Sequence, residues 1–150
     1  RNLRRGSPYV DVRAWGRTTC IVAGCDDKHY GHGWCSKHYQ RWERHGDALY
    51  RRPTAEERFW KQVDIRGPNE CWPWKGSTQS NGYGTFWANG KQVAAHRFAY
   101  ELVIGPIPYE LQLDHVWTRG CRSKLCCNPA HLEPVTWREN LNRGLARRHA

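Results

Sequence analysis

Methionine is absent from this 150-residue chain, so Arg1 is not expected to be a translation start. Aliphatic side chains are sparse and come in short pieces, while nine Trp and seven Tyr are scattered along the sequence. One large core is therefore not expected, and small folds with thin cores are held by staples such as disulfides or metal. No stretch approaches the ~18 apolar residues of a membrane span, and no secretory h-region is present. The expectation is a soluble, intracellular (cytoplasmic) protein with no membrane partner. Acidic residues are scarce: 14 Asp+Glu face 24 Lys+Arg, a formal charge of +10 and a pI near 9.6. A field of that sign favours polyanions, nucleic acid foremost.

Seven cysteines are present, an odd number that suits a disulfide framework poorly. Their spacing with histidines suits zinc, which takes four soft or borderline ligands in a tetrahedron, from thiolates kept free in a reducing compartment. Cys20-x4-Cys25-x9-Cys35-x2-His38 supplies a first Cys3His set. Cys35 and His38, three apart, can both project from the first turn of a helix that continues through Tyr39, Trp42 and Arg44. His29 and His32 lie between the pairs and could replace His38. Cys121-x4-Cys126-x4-His131 supplies three ligands of a second set, with Cys71 as the natural fourth. Cys127 is left over and could replace Cys126, so counting does not fix the register. Both sets are closed, hence structural, and two Zn2+ ions are expected.

Three regions are read along the chain. Residues 1–19 form a basic arm, residues 20–52 a zinc module with its linker, and residues 53–150 a second, larger domain. Thr54-Ala-Glu-Glu57 is a capping box that predicts a helix to about Asp64. A strand near Tyr83 to Ala88, the Asn89-Gly90 turn and a strand from Lys91 to Ala95 predict a hairpin with positive φ at both turn positions. His96 to Ile104 reads as a short helix with Phe98, Leu102 and Val103 buried, stopped at Gly105-Pro106. Strands are expected over Leu111 to Val116 and Leu132 to Val135. A second box, Thr136-x-x-Glu139, then opens a helix that turns Asn140 inward and carries Arg138, Arg143, Arg147 and Arg148. The predicted fold is a small zinc-stabilised α+β protein.

Within that frame Leu113-Asp114-His115 and Asn140 gather a carboxylate, a histidine and an amide around the second zinc set. Asp and Asn oxygens suit a hard ion such as Mg2+ or Mn2+. Neutral His, with a reference pKa near ~6.5, can take a proton at neutral pH. Several motifs run co-linearly through the same region: Cys71-Trp-Pro-Trp-Lys-Gly, Asn81-Gly-Tyr-Gly84, Ala95-His-Arg-Phe-Ala-Tyr-Glu101, Gly105-Pro-Ile-Pro108, Leu113-Asp-His115, and Cys126-Cys-Asn-Pro-Ala-His-Leu-Glu-Pro-Val-Thr136 through Glu139-Asn140. On these, residues 71–144 resemble the HNH endonucleases of phages and mobile introns, closest to the zinc-stapled kind related to the His-Cys box homing enzymes. The chain departs from the common pattern in the six-residue gap from His115 to Cys121 and in carrying Asn140 where the family name has its final His.

The resemblance implies a ββα-metal nuclease domain, preceded here by the hairpin and the zinc module. It implies His115 as general base, with Asp114 and Asn140 as ligands of the catalytic Mg2+ or Mn2+. Arg97 either clamps the scissile phosphate or pairs with Glu101 one turn on. The implied activity is metal-dependent hydrolysis of double-stranded DNA by a phage or homing-type enzyme, site-specific or nicking. Nicking by a monomer and cutting by a homodimer are both left open. The alternative is a zinc-stabilised DNA-binding protein without catalysis. For DNA reading, the hairpin offers Thr85, Trp87, Lys91 and Gln92, of which Lys91 and Gln92 could meet base edges. Arg41, Arg44, Arg51 and Arg52 on the first module, with Arg138 and Arg143 on the last helix, are the further candidates for phosphate contact.

Overall fold

The structure, a computed structural model, describes residues 18–147, so the start of the expected basic arm and Arg148 lie outside the described residues. Among these, no helix is long and apolar enough to cross a membrane. The chain divides into two compact units, one ending at Arg52 and the other beginning at Pro53.

In the first unit, β1 (His29–Gly31) and β2 (Trp34–Cys35) pair antiparallel, and α1 (Ser36–His45) follows without a loop. The helix starts because Cys35, its N-cap, has extended backbone. It stops at Gly46, whose φ of 74° is left-handed and suits glycine best. Its buried side presents His38 with Tyr39 and Trp42 to a small cluster around Cys20, Trp34 and Cys35. That cluster is too thin to hold the unit alone.

The second unit opens on α2 (Ala55–Trp60), capped as expected by Thr54 and Glu57 in a reciprocal box. The helix ends four residues short of Asp64. The chain beyond it is taken by another partner: Val63 bridges Trp74, Asp64 N donates to Pro73 O and Lys75 N to Gln62 O. Strands β3 (Thr85–Ala88) and β4 (Lys91–Ala94) form the expected hairpin in the register Phe86↔Val93. Asn89 and Gly90 both have positive φ, 50° and 77°. Helix α3 (Ala95–Val103) follows directly. Phe59, Trp74, Phe86, Ala95, Ala99 and Cys127 make this unit's core, with Phe98 packed against it.

Burial of Leu102 and Val103 does not hold, for they are 37% and 55% exposed. Helix α3 turns its small residues Ala95 and Ala99, with His96, inward, and its last turn carries the larger side chains clear of the hairpin.

Strands β5 (Gln112–His115) and β6 (Leu132–Val135) pair antiparallel with Asp114 opposite Glu133 and His115 opposite Leu132. Helix α4 (Trp137–Ala146) follows, its first turn held by Thr136 accepting from Glu139 N. Strand, loop, strand and helix thus form the expected ββα unit within a small α+β fold.

The indole of Trp74 lies against two glycines. A Cβ at Gly76 or Gly84 would be driven into its ring. In α4 a Cβ at Gly144 would meet nothing within 4 Å. Gly84→Ala should therefore cost about 1–3 kcal/mol in urea unfolding, as overpacked cores do. Gly144→Ala should instead add roughly 0.5–1 kcal/mol by helix propensity.

Candidate active site and metal centres

Two groups of ligand atoms converge. In the first unit Cys20, Cys25, Cys35 and His38 bring Sγ and ring-nitrogen atoms within 4.8 Å of one another. His38 Nδ1 lies 3.3 Å from Cys20 Sγ and 3.2 Å from Cys35 Sγ, and the Cys25 and Cys35 sulfurs are 3.9 Å apart. A tetrahedral zinc with ~2.3 Å bonds to sulfur separates its sulfurs by about 3.8 Å, so the spacing fits. His29 is engaged elsewhere, accepting from Gly33 N at 3.1 Å, and His32 stacks on Tyr39. Of the three histidines, His38 is the one placed to be the fourth ligand.

In the second unit Cys71, Cys121, Cys126 and His131 meet the same test. Cys71 Sγ lies 3.9 Å from Cys121 Sγ, and His131 Nδ1 is 3.7 Å from Cys71 Sγ and 3.6 Å from Cys126 Sγ. Cys127 turns away into the core, where burial first and the neighbouring Cys126 second push its thiol up to about 12. The register thus takes Cys126. Without a cation the second cluster is in conflict: a hydrogen bond from Cys126 holds Cys121 low while the same contact pushes Cys126 up. A divalent ion would remove this conflict by binding both sulfurs as thiolates. Each cluster could hold zinc.

Backbone pairing builds the second cluster. Cys127 N donates to Trp72 O and Trp74 N to Leu125 O, which lays 72–74 beside 125–127. Asn128, 1% exposed, locks the same junction. Its Nδ2 donates to Pro68 O at 2.8 Å and Glu70 O at 2.7 Å, and its Oδ1 accepts from Ala130 N. Sequence reading passed over Asn128; its place between Cys127 and Pro129 was the available signal.

The alternation of β5 separates the candidate catalytic groups. His115 is buried, with its ring centroid 4.9 Å from that of His96 and 6.0 Å from that of Tyr83. His115 Nε2 lies 3.2 Å from Cys126 O. A carbonyl can only accept, so Nε2 carries the hydrogen and Nδ1 keeps the lone pair. Burial holds the ring's pKa below that of an ordinary histidine, which favours the neutral form that a base requires. His96 is pushed down to about 3 by burial, then by the charges of His115 and Arg97, and its buried Nδ1 has no hydrogen-bond partner among the described residues. Arg97 is half-buried and makes no ion pair with Glu101 among the described residues.

Asp114 projects to the other side, toward α4. It is 4% exposed. Arg147 Nη2 donates to its two oxygens at 2.6 and 2.9 Å and to His115 O at 2.9 Å. Arg143 reaches Asp114 at 3.4 Å, Glu133 at 2.8 Å and Glu139. Asn140 is on the same side, but its Nδ2 donates to Gln112 Oε1 at 2.7 Å. Asp114 lines a cavity of about 400 Å³ with Trp117, Glu133, Arg143 and Arg147. Asn140 lines a separate one of about 250 Å³ with Gln112, Trp137 and Leu141. The oxygen donors suit a hard cation chemically, yet Arg147 holds the carboxylate, and Asp114 and Asn140 line the two different cavities just described.

Among the expected DNA contacts, Lys91, Gln92 and Trp87 are exposed on the hairpin, while Thr85 is buried and donates to Ser77 O. Arg44, Arg51, Arg52 and Arg138 are exposed and Arg41 is half-buried. Arg143, a further candidate, has its guanidinium paired with Glu133, Glu139 and Asp114.

The cluster geometry generates a direct test. Cys71→Ser should lower zinc from two ions per chain to one by elemental analysis, whereas Cys127→Ala should keep both. Acidification should release zinc, because protons compete for the thiolates as pH falls.

Residues 93–142 match the HNH endonuclease family, a span that contains Asp114, His115, Cys121, Cys126, His131 and Asn140. The chain is 38% identical over 71 residues to "Protein 7.7" of Escherichia phage T7, covering 47% of this chain and 52% of the relative. It is 39% identical over 72 residues to "Protein 2.8" of the same phage, covering 47% and 45%. The chain thus spans about half the length of the curated relatives it matches. No solved structure matches it. Residues 93–142, which contain β5, β6 and the start of α4, are thus similar to HNH endonucleases.

Proposed function

We propose that this chain is a metal-dependent endonuclease that hydrolyses phosphodiester bonds in double-stranded DNA, a phage site-specific, nicking or homing-type enzyme. The observation that carries this reading is His115, fixed by Cys126 O in a neutral tautomer with a basic Nδ1, inside the HNH match. His115 Nδ1 takes the proton of a water whose oxygen bonds to phosphorus as the bond to the 3′ oxygen breaks. Asp114 and Asn140 would hold Mg2+ or Mn2+, which when bound supplies charge stabilisation at the phosphate oxygens. In this reading Arg147 first gives up Asp114, and Asn140 leaves Gln112. Arg97, half-buried and without an ion pair among the described residues, is the candidate phosphate clamp. Lys91 and Gln92 are the hairpin's candidates for base contact.

A second reading is favoured by one observation. Arg147 caps both oxygens of Asp114, as in a zinc-stabilised DNA-binding protein that has no catalytic cation.

Two measurements separate them. His115→Ala should slow plasmid nicking about 10²–10⁴-fold, the usual worth of a general base, while duplex affinity is kept. Unchanged nicking removes His115 from the chemistry, and wild-type protein that never nicks favours the second reading. Arg147→Ala should tighten Mn2+ binding, followed by electron paramagnetic resonance, about ten- to hundredfold. Hydrogen bonds to charged groups are worth ~1.5–3 kcal/mol, and Mn2+ would no longer compete with them. If neither protein binds Mn2+, the pair is structural.

A further inference from the structure

The HNH match covers 93–142 and leaves the first unit without a role. One face of α1 in that unit is strongly charged. Lys37, Gln40, Arg41 and Arg44 recur at intervals of three, one and three residues, which puts them along a single side of the helix. They line a groove of about 550 Å³ together with Lys28 and His45. One acid, Asp27, lines it too, and it is paired with Lys37 at 3.2 Å. Glu43, the only acid of α1, is not among the lining residues. Arg41, Arg44 and Lys28 make no ion pair among the described residues.

The opposite side of the same helix is committed to folding. His38 is a ligand of the first metal cluster, and Tyr39 and Trp42 pack on its core. Cys35, another ligand, is the helix N-cap and also borders the groove. The cationic face is therefore held by the metal cluster at its root, which presents its charges preorganised.

We infer that this face docks the phosphate backbone of duplex DNA, independently of any cleavage chemistry in the second unit. The charges fit phosphodiester oxygens, with guanidinium forks at Arg41 and Arg44. A ten-residue helix is about 15 Å long, a rigid straight edge suited to a regular double-stranded backbone. Single strands are gripped chiefly by aromatic platforms, and among the described residues that line the groove the only ring is His45, which stacks on Tyr50 at 3.6 Å. The docking is sequence-independent, since backbone contacts position a protein without reading bases.

The test is fluorescence anisotropy with the zinc-loaded full chain, without Mg2+, across a salt series on matched duplex DNA, single-stranded DNA and duplex RNA. Binding then reads separately from cleavage, so failure of the nuclease reading does not touch it. In Lys28→Gln/Arg41→Gln/Arg44→Gln the log–log salt slope on duplex DNA should fall by about 2.7, roughly 0.9 for each lost phosphate contact. Zinc content should be unchanged, and Arg41→Lys/Arg44→Lys should restore most of the slope. An unchanged slope in the triple variant, with zinc retained, overturns the docking. A variant that loses zinc is set aside for the single changes Arg41→Gln and Arg44→Gln, each expected to lower the slope by about 0.9, and no change in either overturns it as well. An equal loss on single-stranded DNA or on duplex RNA overturns the commitment to duplex DNA.

Discussion

The second Cys3His cluster, which could hold zinc, is the constraint on which the larger unit depends. Its ligands come from both ends of a 60-residue stretch, Cys71 at one end and His131 at the other. Between them lie the hairpin, α3 and β5. Closing that loop with a metal would remove more chain entropy than any short-range contact here could. The core of aromatic and small residues around Phe59 and Trp74 is modest. The staple and the core act on the same junction, where 72–74 runs beside 125–127. The carbonyl that results is Cys126 O, and it fixes the His115 ring. Cys126 thus joins the candidate metal cluster to the candidate base, its Sγ in the one and its carbonyl on the other.

Electrostatics on the other side of β5 follow a different logic. A buried carboxylate needs a cation partner, and Asp114 has found one in Arg147 with help from Arg143. A divalent metal ion would satisfy the same need. The two are alternatives for one pair of oxygens, so the basic end of α4 bears directly on whether the site can be loaded. Strand alternation explains why Asp114 and His115, adjacent in sequence, present their groups to different neighbours.

Much of this was legible in the sequence. Spacing picked out both groups of converging Cys and His side chains, because zinc chemistry demands a narrow set of residue types and gaps. The Thr54 box and the Asn89-Gly90 turn were readable for the same reason: each is a local rule with a physical cause. What escaped depends on tertiary contact. Helix α2 ends early because Val63 finds Trp74 across the chain, and Leu102 and Val103 are exposed because α3 buries alanines instead. Counting left Cys126 and Cys127 equivalent, and only the backbone path beside Trp72 separates them. The interlock of Asn128 with Pro68 and Glu70 spans about 60 residues, beyond any periodicity argument. The arginine cap on Asp114 was invisible because Arg147 lies 33 residues away in sequence, beyond any local spacing rule.

The central claim is that two closed sulfur-rich metal centres hold this protein in shape, one per unit. Zinc-edge X-ray absorption on the purified protein tests it most directly. The account predicts two zinc ions per chain, each with three sulfurs at about 2.3 Å and one nitrogen at about 2.0–2.1 Å. A single zinc, or a first shell dominated by oxygen, would contradict it.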